Sequence, residues 1–277
     1  MVSKKIRFVL PVFAFLSLLA GVSSGGDRVG DFALIDHNGS FQHMSWYNDQ
    51  NAIVIMAYSP GSSDTDTLTA LKALERDYSE QKTTFFLINP GLQTDRARIS
   101  SDLSEQNLDF AVLMDDAQLV SEMLGLTRLG EAVVYDPSSF EISYRGGIES
   151  LEAAIERTLN SDTSDFLTTA AAGEPIQYSS IDAHQNLSYE TDIAPIIAEN
   201  CATCHRDGGI APFAMDSNLA VRGWSPMIRE VVLTKRMPPG QIDNKVGHRI
   251  KNEMNLSDTE MQKLVHWINN CLLYTSP

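Results

Sequence analysis

Five consecutive residues, Cys201-Ala202-Thr203-Cys204-His205, carry the densest chemistry in the chain. Two thiols three positions apart, with a histidine directly after the second, suit covalent attachment of a c-type haem. Each thiol adds to a vinyl group of the porphyrin, and the adjacent imidazole reaches the iron. The same donors admit two other chemistries. A dithiol redox pair would need a strand-then-helix setting, and a zinc ion would need a further histidine beside Cys201, Cys204 and His205. A Cys and a His next to each other in sequence rarely both reach one tetrahedral ion, so haem is the favoured reading. A second axial ligand is expected at Met237, within Arg236-Met237-Pro238-Pro239-Gly240, because two prolines fix an extended, non-helical segment that can lay a thioether over a haem face. Met227 and Met261 fall on apolar helical faces and read as core.

The elements that must position these residues are helices. An apolar period runs through 192–199 before the motif, and another through 226–235 with Met227, Ile228, Val231 and Val232. The last helix opens on the capping box Ser257-Asp258-Thr259-Glu260 and continues with Met261, Leu264, Val265 and Ile268 on one face. This module spans 187–270. Residues 161–186, rich in Ser, Thr, Ala and Asp with Gly173 and Pro175, read as a linker.

Upstream, over 29–160, buried strands alternate with helices. Strands are expected at 52–58, 83–89 and 110–114, helices at 64–78, 94–106 and 117–124, then a hairpin at 131–135 and 141–144 and a closing helix at 150–159. Alternation of this kind implies parallel pairing with an antiparallel edge. His37 and His43 read as surface histidines. All three cysteines, Cys201, Cys204 and Cys271, lie beyond residue 200, so this part of the chain has no thiol chemistry.

The order over 29–160 resembles a thioredoxin-like domain of the redoxin and peroxiredoxin type. That family places a nucleophilic Cys after the first long strand, where this chain has Ser59-Pro60-Gly61-Ser62-Ser63, and a cis-proline where it has Leu129-Gly130-Glu131. The resemblance therefore implies the fold without the reductase activity, leaving a docking or scaffold domain. The module at 187–270 resembles class I cytochrome c in its helix before Cys-x-x-Cys-His, its Met-Pro-Pro loop and its last helix ending Leu264-Val265-His266-Trp267-Ile268. The expected fold class is thus an α/β thioredoxin-like domain followed by an all-α class I cytochrome c domain. More narrowly, the stretches Thr191 to Ile197, Gly208 to Phe213 and Met227 to Val232 resemble a secreted bacterial multidomain family. There, redoxin-like and cytochrome c domains precede a copper-dependent, peptidylglycine monooxygenase-like domain. The family usually continues Met-Pro-Pro with Trp, where this chain has Gly240. The resemblance implies Cys201 and Cys204 as covalent haem anchors, and His205 and Met237 as the iron's axial ligands. It also implies one haem c, with copper confined to a downstream domain absent here.

The function expected is electron transfer toward a copper domain or a separate redox partner protein, with this chain a module of an oxidoreductase rather than a complete enzyme. The alternatives are a haem-based sensor with an open iron site and a zinc-stabilised interaction module. Thirty-six acidic against 21 basic residues, a net charge of -15, argue against a nucleic-acid partner. Lys4, Lys5 and Arg7, an apolar run from Phe8 to Ala20 and small residues after it form a secretory signal peptide over 1–24. No later segment is apolar enough to cross a bilayer, so a periplasmic or secreted chain without membrane insertion is expected. Residues 271–277 resemble translated adapter or vector sequence and read as a non-native or truncated tail.

Overall fold

In the computed structural model the described residues are 27–273, apart from 62–63, 92–94, 163–164, 242, 244–247, 249–250 and 252–253. The expected signal peptide and residues 274–277 of the expected foreign tail lie outside them.

The chain begins with β1 (Asp27–Arg28), β2 (Ala33–Ile35) and β3 (Phe41–His43), then enters the fully buried β4 (Ala52–Ala57). Helix α1 (Thr65–Tyr78) starts at Asp64, whose carboxylate accepts from the amide of Thr67, as an N-cap should. Next come β5 (Thr83–Asn89), α2 (Arg96–Glu105), β6 (Ala111–Met114), α3 (Leu119–Met123), β7 (Ala132–Asp136), β8 (Glu141–Gly146) and α4 (Leu151–Leu159). The main sheet runs β1-β8-β7-β4-β5-β6. β4, β5 and β6 pair in parallel, whereas β7 joins β4 antiparallel and β8 closes the hairpin. Parallel strands crossed by helices and finished by an antiparallel hairpin and a helix make a thioredoxin-like α/β domain.

Period-two alternation splits β4 between two cores. Ala52, Val54 and Met56 join the cluster under α1 and α4, whereas Ile53, Ile55 and Ala57 face the other way. That second cluster does not end with the α/β domain. It continues through Leu119, Val120 and Leu124 into Ile193, Ile197, Leu264 and Ile268 of the C-terminal module. The two modules share one core.

Residues 161–186 connect the modules but are not a loose tether. β9 (Leu167–Thr168) pairs in parallel with β8. The amide of Leu129 donates to Glu174 O at 2.9 Å, and that of Ile176 to Thr127 O at 2.8 Å. A Cβ on Gly173 would stand 1.7 Å from Leu129 O, so only glycine permits this approach. Helix α5 (Ser179–Ala183) ends the strap.

The C-terminal module has a π-helical turn over Tyr189–Ile193, then α6 (Ala194–Asn200), α7 (Asn218–Gly223), α8 (Ser225–Leu233) and α9 (Asp258–Leu273). No strand occurs among its described residues. The capping box is formed: Ser257 N–H donates to Glu260 Oε2 at 2.8 Å, and Glu260 N–H to Ser257 Oγ at 3.3 Å. α9 continues through Cys271 to Leu273, into the segment expected to be foreign. No helix among the described residues is long and apolar enough to cross a membrane.

Candidate functional site

Helix α6 delivers the motif. Its last carbonyls hold the start of the next turn, since the amides of Cys201 and Ala202 donate to Ile197 O at 2.9 and 2.8 Å. The turn closes on itself through Cys204 N–H and His205 N–H, both donating to Cys201 O, at 3.2 and 2.9 Å. Both cysteines are free thiols and half-buried, and burial pushes the Cys201 thiol up to about 11. Such a thiol is protonated at neutral pH, the opposite of the thiolate a dithiol reductase requires. Gly209 lets the chain turn back, because a Cβ there would lie 2.3 Å from Cys204 O.

The returning loop fixes His205. Its Nδ1 lies 3.0 Å from Phe213 O, and a carbonyl can only accept, so Nδ1 carries the proton and Nε2 presents its lone pair. The Phe213 ring packs 4.7 Å from the imidazole and stacks on Trp224 at 4.3 Å and 20°. Met215 N–H donates to His205 O at 2.9 Å, closing the loop. Phe213 and Trp224 were not legible in the sequence as parts of the site, since an accepting carbonyl has no signature and the ring stack joins two segments.

Met237 sits on a separate loop. Lys235, at φ +55°, ends α8, and the amides of Arg236 and Met237 fold back onto Val231 O at 2.8 and 3.1 Å. The Met237-Pro238 peptide is cis. The segment is therefore a turn wrapped on the helix end rather than the extended run expected from two prolines. Met237 is 40% exposed. Met227, expected in the core, is 46% exposed, because its side of α8 has nothing over it, while Ile228 and Val232 are buried. Met261 is half-buried against the shared core.

Eight large apolar side chains are exposed among the described residues, and five of them, Ile210, Leu219, Trp224, Met227 and Met237, fall between 210 and 237. Exposed apolar side chains are thus concentrated on the segments that follow the motif, as a chain that binds a large apolar group there would have them. The donor set and these side chains fit a haem. Among the described residues no group of three or more His, Cys, Asp or Glu side chains is placed to hold a metal ion, which leaves the zinc alternative without a ligand set there. A cavity of about 810 Å³ lies elsewhere, between the modules, lined by Arg96, Asp115, Lys235 and Met261 among others, and it includes none of Cys201, Cys204, His205 or Met237.

In the α/β domain, the turn after β4 is built as a structural support. Gly61 N–H donates to Asp102 Oδ1 at 3.1 Å, Asp102 also accepts from the Tyr58 hydroxyl, and Asn89 Nδ2 donates to Tyr58 O at 3.0 Å. Ser62 and Ser63 lie outside the described residues. The histidines expected on the surface are half-buried and engaged. His43 Nε2 is 2.7 Å from Asp31, and His37 Nδ1 accepts from Val112 N–H at 3.2 Å.

No family model and no curated protein matches the chain. Among solved structures it is similar to a hypothetical protein of Sinorhizobium meliloti, at 20% identity over 56% of this chain and 95% of that one, with a TM-score of 0.48. A peroxidoxin of Mycobacterium tuberculosis matches at 19% identity over 50% of this chain and 95% of that one, TM-score 0.40. A thiol-disulfide oxidoreductase of Bacteroides fragilis matches at 17% over 47% and 98%, TM-score 0.41.

Proposed function

We propose that the C-terminal module is a class I cytochrome c domain that carries one c-type haem on Cys201 and Cys204, and that the chain serves electron transfer. The observation that carries this reading is the His205 imidazole, directly after the second thiol, with Nδ1–H committed to Phe213 O and Nε2 left as a ligand. Bound there, a haem supplies a one-electron couple. Cys201 and Cys204 would anchor it and His205 would ligate the iron through Nε2, in a tautomer fixed by Phe213 O, while the Phe213-Trp224 stack keeps the imidazole from turning. Met237 would be the iron's second protein ligand in this reading, and the exposed Ile210, Leu219 and Met227 would be available to shield the haem from water. The electron passes to a redox partner protein or to a downstream copper domain, and the chain works in the periplasm or outside the cell.

A second reading, an open-iron ligand sensor, draws on one observation. Met237 is 40% exposed, on a loop that folds back onto the end of α8.

The test is an absorption spectrum of the full chain made in a host competent in cytochrome maturation, oxidised and reduced, before and after denaturation. A haem that stays with the denatured chain, and is lost in Cys201→Ser and Cys204→Ser, is the expected result. A colourless protein with intact helical content would overturn the haem reading. Rapid carbon monoxide binding by the reduced protein would replace electron transfer with the sensor.

A further inference from the structure

The polar contacts that join the modules include one that can change with pH. His266 on α9 places Nε2 2.8 Å from Glu122 Oε2 on α3, so that nitrogen carries a proton toward the carboxylate. Its Nδ1 lies 3.0 Å from Nδ1 of His184, the residue that ends α5, with the two rings 5.2 Å apart. Both histidines are 7% exposed. One row of contacts thus ties α3 of the α/β domain, α9 of the helical module and the end of the strap.

We propose that His184, His266 and Glu122 form a proton-sensitive latch that holds the helical module against the α/β domain and releases in acid. With both rings neutral, His184 Nδ1–H donates to His266 Nδ1, and His266 Nε2–H donates to Glu122. One added proton has a place, at His184 Nε2. A second must go on His266 Nδ1, and two N–H groups then face each other at 3.0 Å, where the bond between the rings is lost.

The surrounding charges set the direction. Burial holds His184 below the ordinary histidine value, as do His266 and Lys263, against the opposing pull of Asp192 and Glu122. Lys263 is itself paired with Asp192 at 3.3 Å on the π-helical turn, and Arg229 of α8 and Tyr178 face Glu122. A histidine whose value is lowered in the closed state favours closure above about pH 6.5 and loses that contribution as pH falls. Asp115, buried at the start of α3 and pushed up to about 6 by burial, has the opposite sign: the closed state binds its proton in acid. Acid opening therefore cannot come from Asp115.

A histidine freed by opening is protonated about 30 to one at pH 5, so for a ring that the closed state keeps neutral the opening constant should rise by up to about 30-fold between pH 7.5 and pH 5. Hydrogen exchange of the α9 amides in the full chain, corrected for intrinsic pH dependence, reads that constant. The rise should vanish in His184→Gln/His266→Gln, whose amides can bridge but not titrate. An unchanged wild-type opening constant would overturn the latch, and so would the same rise in the double variant. The wild-type comparison needs no substitution, so a variant that fails to fold does not shelter the proposal.

Discussion

Replacing Gly173 by alanine tests whether the strap is seated on the α/β domain as a structural element. The new Cβ would stand 1.7 Å from Leu129 O and 2.7 Å from its carbonyl carbon, both backbone atoms that cannot swing away. Restoring 3.0 Å to the oxygen requires the strap to move by at least 1.3 Å, the difference between the two distances. A shift of that size takes the Leu129 N–H to Glu174 O bond, now 2.9 Å, out of range, and carries with it the Arg128 Nη1 bond to Gly173 O, also 2.9 Å. At about 0.5–1.5 kcal/mol net per hydrogen bond, the two losses destabilise by about 1–3 kcal/mol. Removing a glycine from the unfolded chain returns about 0.4–1 kcal/mol. The net loss is about 0–2.6 kcal/mol, centred near about 1.3 kcal/mol, where Tm falls by about 3–5 °C for a unit of this size. Calorimetry on the full chain reads the shift, and site-resolved hydrogen exchange should show the amides of Leu129 and Ile176 exchanging faster. A variant that melts with the wild type and keeps those amides protected would refute the reasoning, because it would mean that the strap does not lie where Gly173 alone fits.

Two further outcomes follow from the candidate site. Met237→Ala should lower the reduction potential and admit carbon monoxide to the reduced iron while covalent haem content stays unchanged, because a thioether favours ferrous iron over water; a silent variant would remove Met237 as a ligand. In haem-free protein with a folded helical module, shown by far-ultraviolet circular dichroism, Cys201 should be alkylated at pH 7.5 about 30-fold more slowly than in urea. A thiol raised to about 11 holds about 300-fold less thiolate than an ordinary one, and its greater nucleophilicity recovers about tenfold; equal rates would revive a dithiol.

Much of the α/β domain was legible because burial on both faces leaves a mark on residue type. Thr83 to Asn89 reads as a strand to the residue, and Asp64 announces α1 one position before it begins. The capping box at Ser257 likewise fixed the start of α9 to within one residue. The strap was read as a flexible linker because its order comes from backbone bonds, Glu174 O and the Ile176 amide, made by residues whose side chains favour no element. Met227 shows a different gap. Helical periodicity tells which residues share a face and not whether anything covers it, so an exposed apolar residue such as Met227 looks like core. Within the site, the order Cys201, Cys204, His205 was plain, whereas the Phe213 carbonyl and the Trp224 ring were invisible. The His184-His266 pair spans 82 positions and could not be seen at all.

The thiol-free α/β domain gains a purpose from the packing. α9 buries Leu264 and Ile268 in the cluster that reaches β4 through Ile53 and Ile55, and its Gln262 side chain donates to Ala117 O at 2.8 Å. The helix that closes the candidate haem module is thus also a face of the thioredoxin-like domain. A helical module of this size has little apolar core of its own while Met227 and Ile210 stay exposed. Packing against the sheet supplies what it lacks and fixes its orientation, which a tethered domain would not have. In this chain the thioredoxin-like fold therefore acts on the helical module as a supporting wall, and the turn after β4 is braced by the Tyr58-Asp102-Asn89 hydrogen bonds. The shared core also brings His184 of the strap and His266 of α9 together, so the contact between them joins the modules rather than two neighbouring turns.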